Sequence, residues 1–239
     1  MSWRLRQVTS VVADLDSALA DLHSELGLSV SLRGSGANAE AHGVDNAWLP
    51  LGNTFLEVVT PLSPEAAAGR FHARQGDGGY LVILQTDDLD AFRTRLALTG
   101  TRITWEIDEP GAQELHLDHR DVGGSLLAID WANPPGSWRW AGADWESHVC
   151  TEVVTEIVSA TIRTPSPDVV AARWGLLLDL EPVRHGDVQQ IELERGTLRF
   201  LPSDDHGRGR LTGIDVGVAP GQPPGRETSL AGLDFRFVD

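Results

Sequence analysis

The chain has 239 residues, 41% of them apolar and 23% charged, with a formal net charge of −16 and no lysine. That length supports one large or two small domains with real cores, and the negative charge repels phosphate backbones and argues against a nucleic-acid partner. The missing lysine excludes Schiff-base and Walker-type phosphate chemistry, and the absence of an apolar run of about 18 residues predicts no transmembrane helix.

The opening "MSWRLRQVTSVVADLD" has no apolar block followed by a small-residue cleavage site, so no secretory leader is expected. One cysteine, Cys150, excludes an internal disulfide and suits a reduced, cytoplasmic setting. "VTSVVADLDSALADLHSELGL" (8–28) then reads as a strand followed by a helix. Asp14 is a natural N-cap, Leu15, Leu19, Leu22 and Leu26 recur at helical spacing, and Gly27 ends the run. Strand patterns follow in "LSVSLRG", "NAWLPLG" and "TFLEVVTP". The Gly-rich stretch "GSGANAEAHGVDN" (34–46) lacks both the GK[ST] signature and the strand-to-helix context of a phosphate loop.

Within "LGNTFLEVVTPL" (51–62), Glu57 stands out. Both faces of this strand look buried, yet a carboxylate sits between Leu56 and Val58. A buried carboxylate needs a partner or a proton.

The pattern then starts again. "YLVILQTDDLDAFRTRLALTG" (80–100) is another strand, Asp-capped helix and terminal Gly, followed by strands in "TRITWEI", "ELHLDHRD" and "SLLAIDWA". In "ELHLDHRD", alternation places His116 and Asp118 on one strand face and His119 on the other. "RDVGG" reads as a hairpin turn with Gly123 or Gly124 at positive φ. Trp138, Trp140 and Trp145, in "ANPPGSWRWAGADW", read either as an inter-domain staple or as a stacking platform for an aromatic ligand. A third copy has a strand at 155–163, a helix in "SPDVVAARWGLLLDL" and a hairpin in "VQQIELERGTLRFLP". A fourth begins with "RLTGIDVGV" and lacks its helix, because "APGQPPGRETS" cannot form one, leaving only "LDFRFVD".

Self-similarity at this period predicts an α+β fold of tandem βαβββ modules, two complete and about one and a half degenerate. The expected division is a domain at 1–132, a Trp-rich linker at 133–150 and a degenerate domain at 151–239.

The module pattern, with "VVADLDSAL" and "LGNTFLEVV", resembles the vicinal oxygen chelate superfamily, which includes glyoxalase I, extradiol dioxygenases and bleomycin-resistance proteins. The closer resemblance is to glyoxalase-like proteins carrying "NTFLEVV", "GDGGYLVILQ", "RDVGG" and "PPGSWRWAG", over residues 1–145 and more loosely 152–218. The resemblance implies paired modules that curl into a cup holding a divalent metal, with His, Gln or Glu ligands from the first and last strand of each module. Gln7 and Glu57 fall on two of the four ligand positions. Leu81 and Ala128 fall on the other two and cannot bind a metal, and module three places Ser159 and Phe200 at its equivalents. The resemblance therefore implies an incomplete set, Gln7 and Glu57 with His116 as a third group, around a metal of altered geometry, an ordered water or a polar ligand. Trp48, on the neighbouring strand, would line the cup.

Two functions stay open at this point. One is a lyase or isomerase that uses Glu57 as acid or base on a small molecule, with Gln7, Trp48 and His116 as binding residues. The other is a metal-free protein that only binds or sequesters such a compound. For Glu57 itself, a buried acid satisfied by its neighbours is an equally open reading.

Overall fold

The structure is a computed structural model that describes residues 1–34, 43–203 and 209–239. Most of the Gly-rich stretch at 34–46 therefore lies outside the described residues.

Fifteen described strands form two curled sheets. The first has eight strands, in the order β2-β3-β4-β1-β5-β8-β7-β6. They are β1 (Trp3–Val11), β2 (Leu32–Gly34), β3 (Val44–Leu51), β4 (Thr54–Pro61), β5 (Gly78–Thr86), β6 (Ile103–Glu109), β7 (Ala112–Leu117) and β8 (Leu126–Ala132). The second has seven, in the order β10-β11-β12-β9-β13-β15-β14. They are β9 (Val154–Thr164), β10 (Val183–His185), β11 (Val188–Glu192), β12 (Thr197–Pro202), β13 (Arg210–Val218), β14 (Glu227–Leu230) and β15 (Leu233–Val238). The module repeat is written in the pairing. The first and last strands of each module run parallel: β1 with β4, β5 with β8, β9 with β12 and β13 with β15.

The helices follow the same repeat. In α1 (Leu15–Leu26) the Asp14 side chain accepts from the Ser17 N–H at 3.0 Å, and Gly27 closes the helix in the left-handed region. Leu15, Ala18, Leu22 and Leu26 form its buried stripe. A shorter helix, α2 (Ala67–Gln75), follows β4. In α3 (Leu89–Thr99) Asp88 and Gly100 repeat the roles of Asp14 and Gly27. A single turn, α4 (His119–Val122), precedes β8, and α5 (Pro167–Leu178) is the helix of module three.

Five details differ from the sequence reading. The second strand of module one is only Leu32–Gly34. Helix α2 was not expected, since it buries only Ala68 and Gly69 and its N-cap, Ala66, offers no side-chain acceptor. The third strand of module two stops at Leu117, because the Asp118 side chain accepts from the Arg120 N–H and starts α4, taking Asp118 and His119 off the strand. "RDVGG" is thus a helical turn followed by two glycines, both at positive φ. Module four lacks a helix, as expected, but keeps a β14–β15 hairpin that returns parallel to β13.

The residues group into two compact units. One comprises Met1–Arg6, Leu81–Ser137 and Val158–Leu211. In it the Trp3 ring meets Phe92 edge-on and its indole N–H donates to the Leu178 carbonyl at 2.8 Å. Arg95 ties α3 to α5 through the Leu176 carbonyl and the Asp179 carboxylate. Arg4 donates to Gln85 and to the Pro135 carbonyl. Arg6, fully buried, donates to the carbonyls of Gly136 at 2.9 Å and Ser137 at 3.4 Å. The other unit comprises Gln7–Tyr80, Trp138–Ile157 and Thr212–Asp239. There Trp138 stacks on Phe55, with ring centroids 5.7 Å apart, and Trp145 meets the same ring edge-on at 4.9 Å. These two tryptophans are packing elements of this unit, while Trp140 lies half-buried beside Arg139. The Thr54 hydroxyl accepts from the Ile157 N–H at 2.8 Å and donates to the Leu51 carbonyl at 2.8 Å.

Among the described residues no helix is long and apolar enough to cross a membrane.

Candidate functional site

Three adjacent strands of module one build the site. Pairing of β1 with β4 sets Gln7 opposite Phe55 and Thr9 opposite Glu57. Pairing of β3 with β4 sets Trp48 opposite Glu57 and Asn46 opposite Val59. Side chains two apart on a strand share a face, so Gln7 and Thr9 approach the same carboxylate.

Glu57 is half-buried and accepts from three neutral donors. Its Oε2 accepts from Gln7 Nε2 at 2.9 Å and from Thr9 Oγ1 at 2.9 Å, and its Oε1 accepts from Asn46 Nδ2 at 2.7 Å. Hydrogen bonds to an ionised acceptor are about twice as strong as neutral ones, so three of them offset much of the cost of taking the carboxylate out of water. Gly34 makes room for the third donor, since a Cβ there would fall 1.8 Å from Asn46 Oδ1.

Gln7 is itself held from behind. Its Oε1 accepts from the Trp138 indole N–H at 2.9 Å. The two partners fix which way the amide points. The indole can only donate and the ionised carboxylate can only accept, so the amide oxygen must face Trp138 and the nitrogen must face Glu57. Turning the amide over would forgo both bonds, and each buried bond left unmade costs about 1–3 kcal/mol.

Tyr80 and α2 complete the surroundings. Phe71 and Tyr80 pack on Val11, Val44, Val59 and Ala68, their rings edge-on at 5.0 Å. Burial pushes the Tyr80 phenol above its ordinary pKa, the Arg70 charge opposes the shift, and the Glu57 charge adds to it. Trp48 is partly exposed, but its Nε1 is buried and has no hydrogen-bond partner among the described residues.

The structure thus joins Gln7 directly to Glu57 and sets Trp48 across from Glu57 on the neighbouring strand. His116 lies in the other compact unit, opposite Trp105 and Ala128 on the flanking strands. Its Nε2 is 2.5 Å from Glu114 Oε1, and its ring meets Trp105 edge-on at 4.8 Å. The sequence singles out none of Thr9, Asn46 and Tyr80, and it offers Trp138 as a staple or a stacking platform, not as a hydrogen-bond donor to Gln7. One signal for Thr9 was available: a second polar residue two positions after Gln7 in an otherwise apolar strand.

These residues do not fit a divalent cation. Such a cation needs oxygen or nitrogen lone pairs, and Gln7 turns an N–H toward Glu57. Leu81 and Ala128 are buried and apolar. Among the described residues no group of three or more His, Cys, Asp and Glu side chains is placed to hold a metal ion.

Comparison with known proteins agrees with this architecture. The ethylmalonyl-CoA/methylmalonyl-CoA epimerase of Cereibacter sphaeroides is 29% identical over 135 residues, covering 54% of this chain and 98% of that protein. The human mitochondrial methylmalonyl-CoA epimerase is 29% identical over 133 residues, covering 54% of this chain and 74% of that protein. Among solved structures, a hypothetical protein from Staphylococcus aureus superposes over 100% of this chain and 99% of its own, with a TM-score of 0.75 and 13% identity. A methylmalonyl-CoA epimerase in complex with methylmalonyl-CoA and NH4+ superposes over 58% of this chain and 100% of its own, with a TM-score of 0.51 and 20% identity. At those identities the two structures show a shared fold. A family model described as a glyoxalase-like domain matches residues 8–178, and the chain belongs to that family.

Proposed function

We propose that this member of the glyoxalase-like family is a small-molecule isomerase in which Glu57 moves a proton at a carbon next to a carbonyl. The observation that carries the reading is the Glu57 carboxylate itself, half-buried on β4 and positioned by Gln7, Thr9 and Asn46. A base held in one geometry by side chains on rigid strands is what such a transfer needs. In the step, the C–H proton passes to a Glu57 oxygen and the bonding pair moves onto the carbonyl oxygen, giving an enolate. Delivery of a proton from water to the opposite face of that carbon regenerates the carbonyl with inverted configuration, and Glu57 returns its own proton to solvent. The buried Trp48 N–H is a donor suited to the enolate oxygen. The curated relatives are epimerases of acyl-CoA substrates, which supports a substrate with an acidified α-carbon.

A second reading has its own observation. Three donors already engage the Glu57 oxygens, which stabilises the carboxylate charge and suits a group that orients a ligand rather than one that takes a proton. One experiment separates the two. Methylmalonyl-CoA and simpler 2-branched acyl thioesters are incubated in D2O with wild type and with Glu57→Gln, and deuterium at the α-carbon is followed by NMR. Isomerase chemistry predicts exchange with wild type and a loss of about 100-fold or more in the variant. Ligand binding by calorimetry with no exchange in either protein would replace the isomerase by the binding protein.

A further inference from the structure

The geometry points to Trp138 as a positioning residue: its indole N–H holds the Gln7 amide with the nitrogen toward Glu57, and so makes this half of the site a hydrogen-bonding pair that rejects a divalent cation. The inference stands on the Trp138–Gln7–Glu57 chain and is independent of whether Glu57 transfers a proton.

A glutamine is indifferent by itself. Its carboxamide carries a donor end and an acceptor end, and either can face a neighbour. With the oxygen turned toward Glu57, Gln7 and Glu57 would offer two oxygens to one point, the start of a cation shell. With the nitrogen turned there, the same two residues satisfy one another and leave no oxygen of Gln7 for a cation. The residue that decides is the one on the far side. Trp138 is fully buried, its ring is clamped against Phe55, and its N–H is a donor and nothing else. An acceptor in that place would have turned the amide over. Which end of the Gln7 amide faces Glu57 is therefore decided 131 residues away in the chain, and Leu81 and Ala128 remove the other two ligand positions independently.

The test compares wild type, Trp138→Phe and Trp138→Phe/Gln7→Leu. The phenylalanine keeps an aromatic ring on Phe55 and removes only the donor. Each protein is titrated with Mn2+ and the free ion is read by its EPR signal, with a thermal melt to confirm folding. Trp138→Phe should bind Mn2+ about tenfold or more tightly than wild type, and the added Gln7→Leu change should abolish the gain. Equal Mn2+ binding by wild type and Trp138→Phe, or a gain that survives Gln7→Leu, overturns the inference. The wild-type protein carries a second test, which holds even where the variants do not fold. The Trp138 indole nitrogen should show a through-hydrogen-bond scalar coupling to the Gln7 side-chain carbonyl carbon, because that oxygen accepts its proton. Absence of the coupling means that the carbonyl does not face the indole, and the inference fails.

Discussion

Gly34 and Asn46 lie so close that a methyl group on the first would fall 1.8 Å from the Oδ1 of the second. Asn46 in turn donates to Glu57 at 2.7 Å, against 2.9 Å for Gln7 and Thr9. Gly34→Ala should therefore act through Asn46: the carboxamide is pushed off the carboxylate and a buried acceptor loses a donor, for about 1–3 kcal/mol. Asn46→Ala should cost a similar amount. In the Asn46→Ala background Gly34→Ala should be nearly neutral, since the obstructing oxygen is gone. Urea melts of the four proteins in this double-mutant cycle measure the coupling. Additive costs would mean that Gly34 serves some other constraint.

Tyr80 is the only tyrosine in the chain, so phenolate absorbance near the ultraviolet edge reports on it alone. Its pKa should lie above the ordinary value of 10.0, because burial, with the Glu57 charge adding and Arg70 opposing, disfavours the phenolate. The sign for stability follows. Between the unfolded and folded pKa values the native state keeps a proton that the unfolded state has lost, so stability falls as pH rises through 10. Glu57→Gln should lower the Tyr80 pKa, and Arg70→Ala should raise it. A Tyr80 titration unmoved by Glu57→Gln would place the carboxylate charge elsewhere.

Glu57→Gln also changes the balance of donors and acceptors. The carboxylate offers two acceptor oxygens to Gln7, Thr9 and Asn46, whereas a carboxamide offers one and turns an NH2 group against the remaining donors. The expected loss is about 1–3 kcal/mol, seen as a lower urea midpoint at unchanged slope. A gain in stability would show that the acid is held under strain.

Thr54 is a purely structural counterpart to the site. It is buried, accepts from the Ile157 N–H and donates to the Leu51 carbonyl. Thr54→Val keeps the shape and strands the Ile157 N–H, for a loss of about 1–3 kcal/mol in a urea melt. The Tyr80 titration should not move.

The repeat was legible because local chemistry wrote it twice. Asp14 with Gly27 and Asp88 with Gly100 are the same pair of caps around helices of 12 and 11 residues, and caps act within one turn. The Gln7–Glu57 pair was legible through the family resemblance. Asn46 was not, because its approach to Glu57 depends on the register of β3 against β4, which composition does not encode. Helix α2 was missed for lack of a cap and an apolar stripe. Trp138 was read as packing, which it is, but its second task depends on one N–H and on a partner at the other end of the pair of modules.

The run from Pro135 to Trp138 has a consequence for how this protein can be taken apart. Arg4 and Gln85 grip the Pro135 carbonyl, Arg6 grips Gly136 and Ser137, and Gln7 receives the Trp138 indole. Successive residues of the first strand are thus keyed to successive residues of a segment that begins after the second module has closed. The epimerase relatives match only about half of this chain, and the two-module stretch at 1–132 is here no free-standing cassette. Cut at residue 132, it would surrender two carbonyls that receive a buried guanidinium and the indole that sets the Gln7 amide. Grafting the Glu57 constellation onto another two-module scaffold would need the strap as much as the strands.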